Sequence, residues 1–161
     1  MLQKRRDLGS IPDGLAFTAT ELVKGTAVVK KYNSTKNRYE LAKPSTADEA
    51  ANIYGFVTLR IDDVYYTDKY YDKIPADVRA VVYTLVANNE WATTEFVGSD
   101  LVVGDKLVAE YTGDDAGKLK KAAAGDIALF EVVGMTPAMG GYEDAMIEVR
   151  IIPAITTKKE A

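Results

Sequence analysis

The chain reads as an all-β protein: an antiparallel β-sandwich or small β-barrel with short helical turns and a flexible N-terminal arm. Three observations carry that expectation. A pattern of glycine, strand, polar turn and strand is written twice, from Lys24 and again from Val103. Short runs rich in Val, Ile, Tyr and Thr recur between clusters of turn residues. Helix-favouring stretches are few and short.

The first copy of the pattern runs Lys24-Gly25-Thr26-Ala27-Val28-Val29, passes Tyr32 and resumes at Tyr39-Glu40-Leu41-Ala42. The second runs Val103-Gly104-Asp105-Lys106-Leu107-Val108, passes Tyr111 and resumes at Gly117-Lys118-Leu119. Each is followed by an apolar run, Gly55-Phe56-Val57-Thr58-Leu59 or Ala128-Leu129-Phe130-Glu131-Val132-Val133. Each copy is a hairpin feeding a further strand, which raises internal duplication.

Taken in order, residues 1–16 read as an arm, because Gly9, Pro12 and Gly14 disfavour helix and regular strand. Residues 17–161 read as one β-rich domain. Ala27-Val28-Val29 is a strand, Asn33-Ser34-Thr35-Lys36-Asn37 a turn, and Arg38 to Lys43 the returning strand. Ser45 or Thr46 caps a short helical turn with Asp48 and Glu49 in its first turn. Ile53 to Ile61 is the next strand. A Tyr-rich loop and hairpin is expected as an insertion at about 62–97, with Arg79 to Val86 turning at Asn88-Asn89 and pairing with Trp91 to Val97. Lys118 to Ala124 suits either a strand or a helical turn. Ala145 to Ile152 alternates as a half-buried strand, ended by Pro153.

Composition narrows the chemistry. The 161 residues contain no cysteine and no histidine. Disulfides, thiolate catalysis, Ser-His and Cys-His pairs and the commonest metal ligand are therefore absent. A net charge of −4 offers no surplus of cations for phosphates, so nucleic acid is not an expected partner. No apolar run approaches the roughly 20 residues of a membrane helix, and Asp7-Leu8-Gly9-Ser10 stands where a signal peptide would be apolar. Neither a membrane nor secretion is expected.

No residue pattern specifies catalysis. The serines Ser10, Ser34, Ser45 and Ser99 sit in turn or linker contexts, and the phosphate-loop and dinucleotide motifs are missing. Asp62-Asp63, Asp114-Asp115, Asp68 and Asp72 read as solvated turn carboxylates in the absence of a calcium-loop pattern. Neither a metal nor another cofactor is expected. The tyrosines Tyr65, Tyr66, Tyr70 and Tyr71 are protein-interface candidates, since Tyr offers broad apolar area with a polar tip. Simple alternation across a strand, or stacking on a sugar, would use the same residues. In the arm, Lys4, Arg5 and Arg6 form a basic cluster, and Leu8, Ile11 and Leu15 are apolar residues on a flexible stretch. Such a segment either frays or becomes ordered against a partner.

The order of these features resembles the head decoration, or capsid cement, proteins of tailed double-stranded DNA bacteriophages. The resemblance rests on the arm 1–16, Gly25-Thr26-Ala27-Val28-Val29, Tyr39-Glu40-Leu41-Ala42, Gly55-Phe56-Val57, and the later Gly104-Asp105-Lys106-Leu107 and Gly117-Lys118-Leu119. It covers about residues 20–60 and 100–133, with no counterpart for 62–97. It implies a structural virion protein, made in the host cytoplasm, that binds the outer surface of the capsid and stabilises the mature head. The implied partners are the major capsid protein, through Lys4, Arg5, Arg6, Leu8, Ile11 and Leu15, and further copies of the chain, most often as a trimer. The alternatives are a tail, baseplate or fibre-associated β-domain that binds host glycan, and a carboxylate-dependent hydrolase.

Overall fold

The fold is organised by one turn that recurs among the described residues: three copies precede or follow the hairpins, and Asp115–Lys118 (Gly117, φ 87°) and Val86–Asn89 (Asn88, φ 67°) repeat its hydrogen bonds against Glu110 and Ile151. In Val23–Thr26, Val102–Asp105 and Ala123–Asp126 the fourth N–H donates to the first C=O, at 3.0, 3.1 and 3.1 Å. The third residue is a glycine with φ of 97°, 99° and 94° respectively, a left-handed conformation that a Cβ disfavours. Each glycine N–H then donates to the carbonyl of Val57 or Val132 within a strand, or of Thr157 just past the end of one. The N–H of that same residue donates back to the last residue of the turn, Thr26, Asp105 or Asp126. Each turn is thus latched in register to a neighbouring strand. In the second and third copies the aspartate side chain also accepts the N–H of the first turn residue, Val102 at 2.9 Å or Ala123 at 2.8 Å.

The computed structural model describes residues 2–60, 73–136 and 145–158. Among them are two six-stranded sheets. Sheet A contains β1 (Leu2–Arg6), β10 (Glu90–Thr93), β14 (Met146–Thr156), β13 (Ile127–Thr136), β11 (Lys106–Ala109) and β12 (Leu119–Lys121), in that spatial order. Sheet B contains β2 (Pro12–Asp13), β9 (Ala80–Thr84), β7 (Gly55–Arg60), β5 (Ala27–Asn33), β6 (Arg38–Ala42) and β3 (Phe17–Thr18). Neighbours are antiparallel except β3 on β6. A small antiparallel pair, β4 (Leu22–Val23) with β8 (Lys73–Ile74), stands apart. One helical turn, α1 (Ala47–Ala50), is capped by Thr46, whose side chain accepts the Glu49 N–H at 3.2 Å. The architecture is a sandwich of open sheets, with no closed barrel among the described residues.

The two sheets repeat one topology. In each, a hairpin (β5–β6 or β11–β12) is followed by a strand that pairs back on its first member (β7 or β13), and the next strand to join the sheet pairs outside that (β9 or β14). The shared register makes Val28 equivalent to Leu107, Leu41 to Leu119, Val57 to Val132 and Val82 to Val149. The repeat starts upstream of the glycine. Phe17 and Leu22 are matched in spacing by Phe96 and Leu101, and Phe96 makes a parallel bridge to Leu119 much as β3 pairs with β6. The first unit spans residues 12–84 and the second 90–156.

The units pack front to back. One face of sheet B, with Ala27, Val29 and Phe56, shares a core with Trp91, Leu107, Leu119, Phe130, Val132 and Val149 of sheet A. The other face, with Val28, Leu41, Val57 and Val82, is covered by Ala16, Leu22 and Ile74. The face of sheet A that meets sheet B is therefore the equivalent of the face sheet B turns away. Among the described residues two aromatic contacts join the units: Phe56 to Phe130 at 5.3 Å and Tyr83 to Trp91 at 4.9 Å between ring centroids. Burying Phe56, Phe130 and Trp91 stabilises by about 1.5–3 kcal/mol per side chain.

Three expectations are corrected. Residues 2–6 are not a free arm: they form β1, because Leu2-Gln3-Lys4-Arg5-Arg6 is extended and finds the unpaired edge of β10. The segment 79–97 is neither a hairpin nor an insertion. Its first half is β9, inside sheet B, and its second is β10, inside sheet A, with Asn88 at φ 67° where the chain changes sheet. Pro153 does not end β14, which continues to Thr156. The proline sits where the pairing with β13 is irregular, between Phe130↔Ile151 and Ala128↔Ile155, so no ladder donor is missed. Leu119–Lys121, where strand and helical turn both suited the sequence, is strand.

The glycines supply a test. An Ala Cβ at Gly125 meets nothing within 4 Å, so Gly125→Ala is expected to cost about 1–2 kcal/mol from backbone strain alone. At Gly55 a Cβ would lie 2.2 Å from the Tyr83 carbonyl oxygen, and Gly55→Ala is expected to cost clearly more. Urea midpoints of the two variants measure the difference.

Candidate interaction surface

The N-terminal segment runs along the side of the sandwich where both sheets would otherwise end. It adds β1 to sheet A and β2 to sheet B. Lys4 Nζ lies 2.5 Å from Asp7 Oδ2 and stands 4.5 Å from the Tyr83 ring centroid and 5.5 Å from that of Trp91. It covers the outer end of the aromatic contact between the units. Arg5 pairs with Glu148 at 3.2 Å, and Arg6 is exposed.

Two carboxylates pin the segment. Asp7 Oδ1 accepts the N–H groups of Gly9 and Ser10, the Ser10 hydroxyl and the amide of Asn89, at 2.7–3.1 Å. Asn89 is fully buried and accepts the Leu8 N–H at 2.7 Å. The Lys4 ammonium, then the Ser10 N–H, hold the Asp7 carboxyl well below the usual carboxylate range. Further on, Asp13 accepts from Lys30 Nζ at 2.5 Å, Tyr54 OH at 2.7 Å and the Leu15 N–H at 3.0 Å. Burial works against its charge, but these donors outweigh it and set its pKa at about 2.

Between and beside these anchors three apolar side chains face outward. Leu8 is 52%, Ile11 70% and Leu15 76% exposed. Large apolar groups held out on a pinned backbone form a ready contact strip. Of the residues expected to meet a partner, Arg6, Leu8, Ile11 and Leu15 are thus presented, while Lys4 and Arg5 are engaged within the chain. Tyr65, Tyr66, Tyr70 and Tyr71 lie outside the described residues, as do Asp62, Asp63, Asp68 and Asp72. Trp91 is buried and offers no ligand platform.

Sequence reasoning missed two features. The first is the Asp7–Asn89 junction; its signal is Asp7-x-x-Ser10, a spacing suited to a side chain capping a turn. The second is an exposed ring pair, Tyr32 and Tyr39, which are cross-strand partners on β5 and β6. Their centroids are 5.4 Å apart, edge to face, and the Tyr32 hydroxyl is bonded to Asn37.

Other concavities are mixed in charge. At the junction of the two units a cleft of about 580 Å³ is lined by Lys43, Lys118, Glu95, Asp114, Thr94 and Phe96. Lys118 there is paired with Asp115 at 2.7 Å. Among the described residues no group of acidic side chains is placed to hold a metal ion. Likewise, no helix is long and apolar enough to cross a membrane. No protein-family model matches the chain, and no curated protein matches its sequence.

Acid provides a check on Asp13 and on Glu110, a carboxylate beside the second hairpin. Asp13 and Glu110 are both lowered to about 2; for Glu110 burial opposes the charge, and Lys120 with the N–H groups of Tyr111 and Thr112 overcomes it. The unfolded values are about 4, so their stabilisation is complete above that and is lost as pH falls toward 2. Urea midpoints are expected to fall between pH 5 and pH 2, and the Asp13→Asn/Glu110→Gln variant to show a shallower fall.

Proposed function

We propose that this chain is a structural virion protein that binds the outer surface of a phage capsid and stabilises the mature head. The observation that carries the reading is the apolar strip of Leu8, Ile11 and Leu15, held outward by Asp7, Asn89 and Asp13 on the side of the sandwich. Because the strip is already ordered, docking forfeits little backbone entropy, which favours a stable adhesive contact. The resemblance of the glycine-turn and strand motifs to capsid decoration proteins supports the same reading. The partner is the major capsid protein, with Arg6 steering toward capsid acids at the rim. Copies act together as a homo-oligomer, a trimer in this reading, so that weak contacts add.

A second reading, a tail or fibre-associated domain that binds glycan, is favoured by Tyr32 and Tyr39, an exposed ring pair beside Asn33 and Asn37. It requires saturable sugar binding that Tyr32→Ala/Tyr39→Ala abolishes.

Co-sedimentation with expanded capsid shells of the parent phage tests the first reading. Saturable binding at a fixed ratio to capsid subunits is expected. Ile11→Asp/Leu15→Asp is expected to weaken it at least ~10-fold while leaving the melting temperature unchanged. Absence of binding by the unaltered protein, with the shells intact, would contradict it.

A further inference from the structure

The repeat allows the same register positions to be compared in the two sheets. Across β5, β7 and β9 of sheet B, Ala27, Phe56 and Tyr83 stand in one cross-strand row, since Ala27 pairs with Phe56 and Phe56 with Tyr83. All three belong to the core between the units. The equivalent row across β11, β13 and β14 of sheet A is Lys106, Glu131 and Arg150, and β10 extends it with Glu90. It lies on the outer face of sheet A and alternates in sign along its whole length. Lys106 pairs with Glu131 at 2.6 Å and Arg150 with Glu90 at 2.9 Å.

The other side of the interface differs in the same sense. Gly117 on the second hairpin reaches the first unit so closely that a Cβ would lie 2.4 Å from Thr26 Cγ2, and its carbonyl accepts the Ala27 N–H at 2.9 Å. Its equivalent in the first unit is Tyr39, a half-exposed ring that the same approach would exclude. The surface through which the second unit docks is therefore altered on the first unit. The surface on which it docks is altered on the second.

We infer that the chain is a closed two-unit stack, and that the ladder Glu90–Arg150–Glu131–Lys106 closes its open end against a further unit or a second copy. Front-to-back contacts are heterologous and propagate unless their ends differ from their interior. A terminal unit needs a polar outer face for the same reason as in any stacked repeat. The charged row on the outer face of sheet A is thus a half-exposed, charge-paired cap, and partners are met elsewhere, whether or not the protein decorates a capsid.

Sedimentation equilibrium over a hundredfold concentration range tests this, with Trp91 emission reporting the fold. Lys106→Ala/Glu131→Phe/Arg150→Tyr gives the second unit the residues of the first. With the front of the first unit still blocked by Tyr39, the apolar row is expected to pair with its own equivalent on a second copy, at least ~10-fold more tightly than the unaltered protein associates. Reversing the ladder, with Glu90→Arg/Arg150→Glu/Glu131→Lys/Lys106→Glu, is expected to leave the mass unchanged. If the triple variant does not fold, Glu131→Phe alone carries the test. A folded apolar variant with unaltered mass would overturn the inference. So would a change of mass on reversal, since the face would then be a contact surface.

Discussion

The fold depends on sheet B being buried on both faces. A sheet with one wet face needs one apolar row per strand pair; sheet B needs two, and supplies them in β5 as the unbroken run Ala27-Val28-Val29, directed alternately to the two cores. Everything else is arranged around that middle layer. Sheet A closes one side through Phe130 and Trp91, and β4, β8 and the chain around Ala16 close the other. The glycine turns hold the strands in register so that both faces stay aligned with their covers.

That constraint also explains what was legible in the sequence. The hairpins at Ala27–Ala42 and Lys106–Lys121 can be read directly, since a glycine followed by a short apolar run and a polar turn is a local signal. Their duplication can be read for the same reason. The partners of β9 and β10 cannot. Asn88-Asn89 between two apolar runs has the look of a hairpin turn, yet the runs enter different sheets. That outcome is decided by tertiary pairing with β7 and β14, which leaves no local trace.

The candidate surface was legible in identity and not in state. Leu8, Ile11 and Leu15 are conspicuous as apolar residues among Gly and Pro, and the structure does expose them. What the sequence hides is that the segment is tied down. Asn89 is distant in sequence, and Asp13 acquires its meaning only when Lys30 and Tyr54 come to meet it. Short charged edge strands are also hard to tell from frayed termini, because Lys4, Arg5 and Arg6 suit both; on an edge they discourage further strand addition.

The surfaces then divide by chemistry. The outer face of sheet A is self-paired in charge, and the far face of sheet B is covered. The side that carries the N-terminal segment keeps exposed apolar area, and it is there that an adhesive role would be exercised. Hydroxyl-radical footprinting of the protein with and without expanded capsid shells tests this division most directly. Loss of reactivity at Leu8, Ile11 and Leu15, with the likewise exposed Val102, Val103 and Ile155 unchanged, is the result the account requires. Protection at Ile155 and Val103 with Leu8, Ile11 and Leu15 still reactive would contradict it.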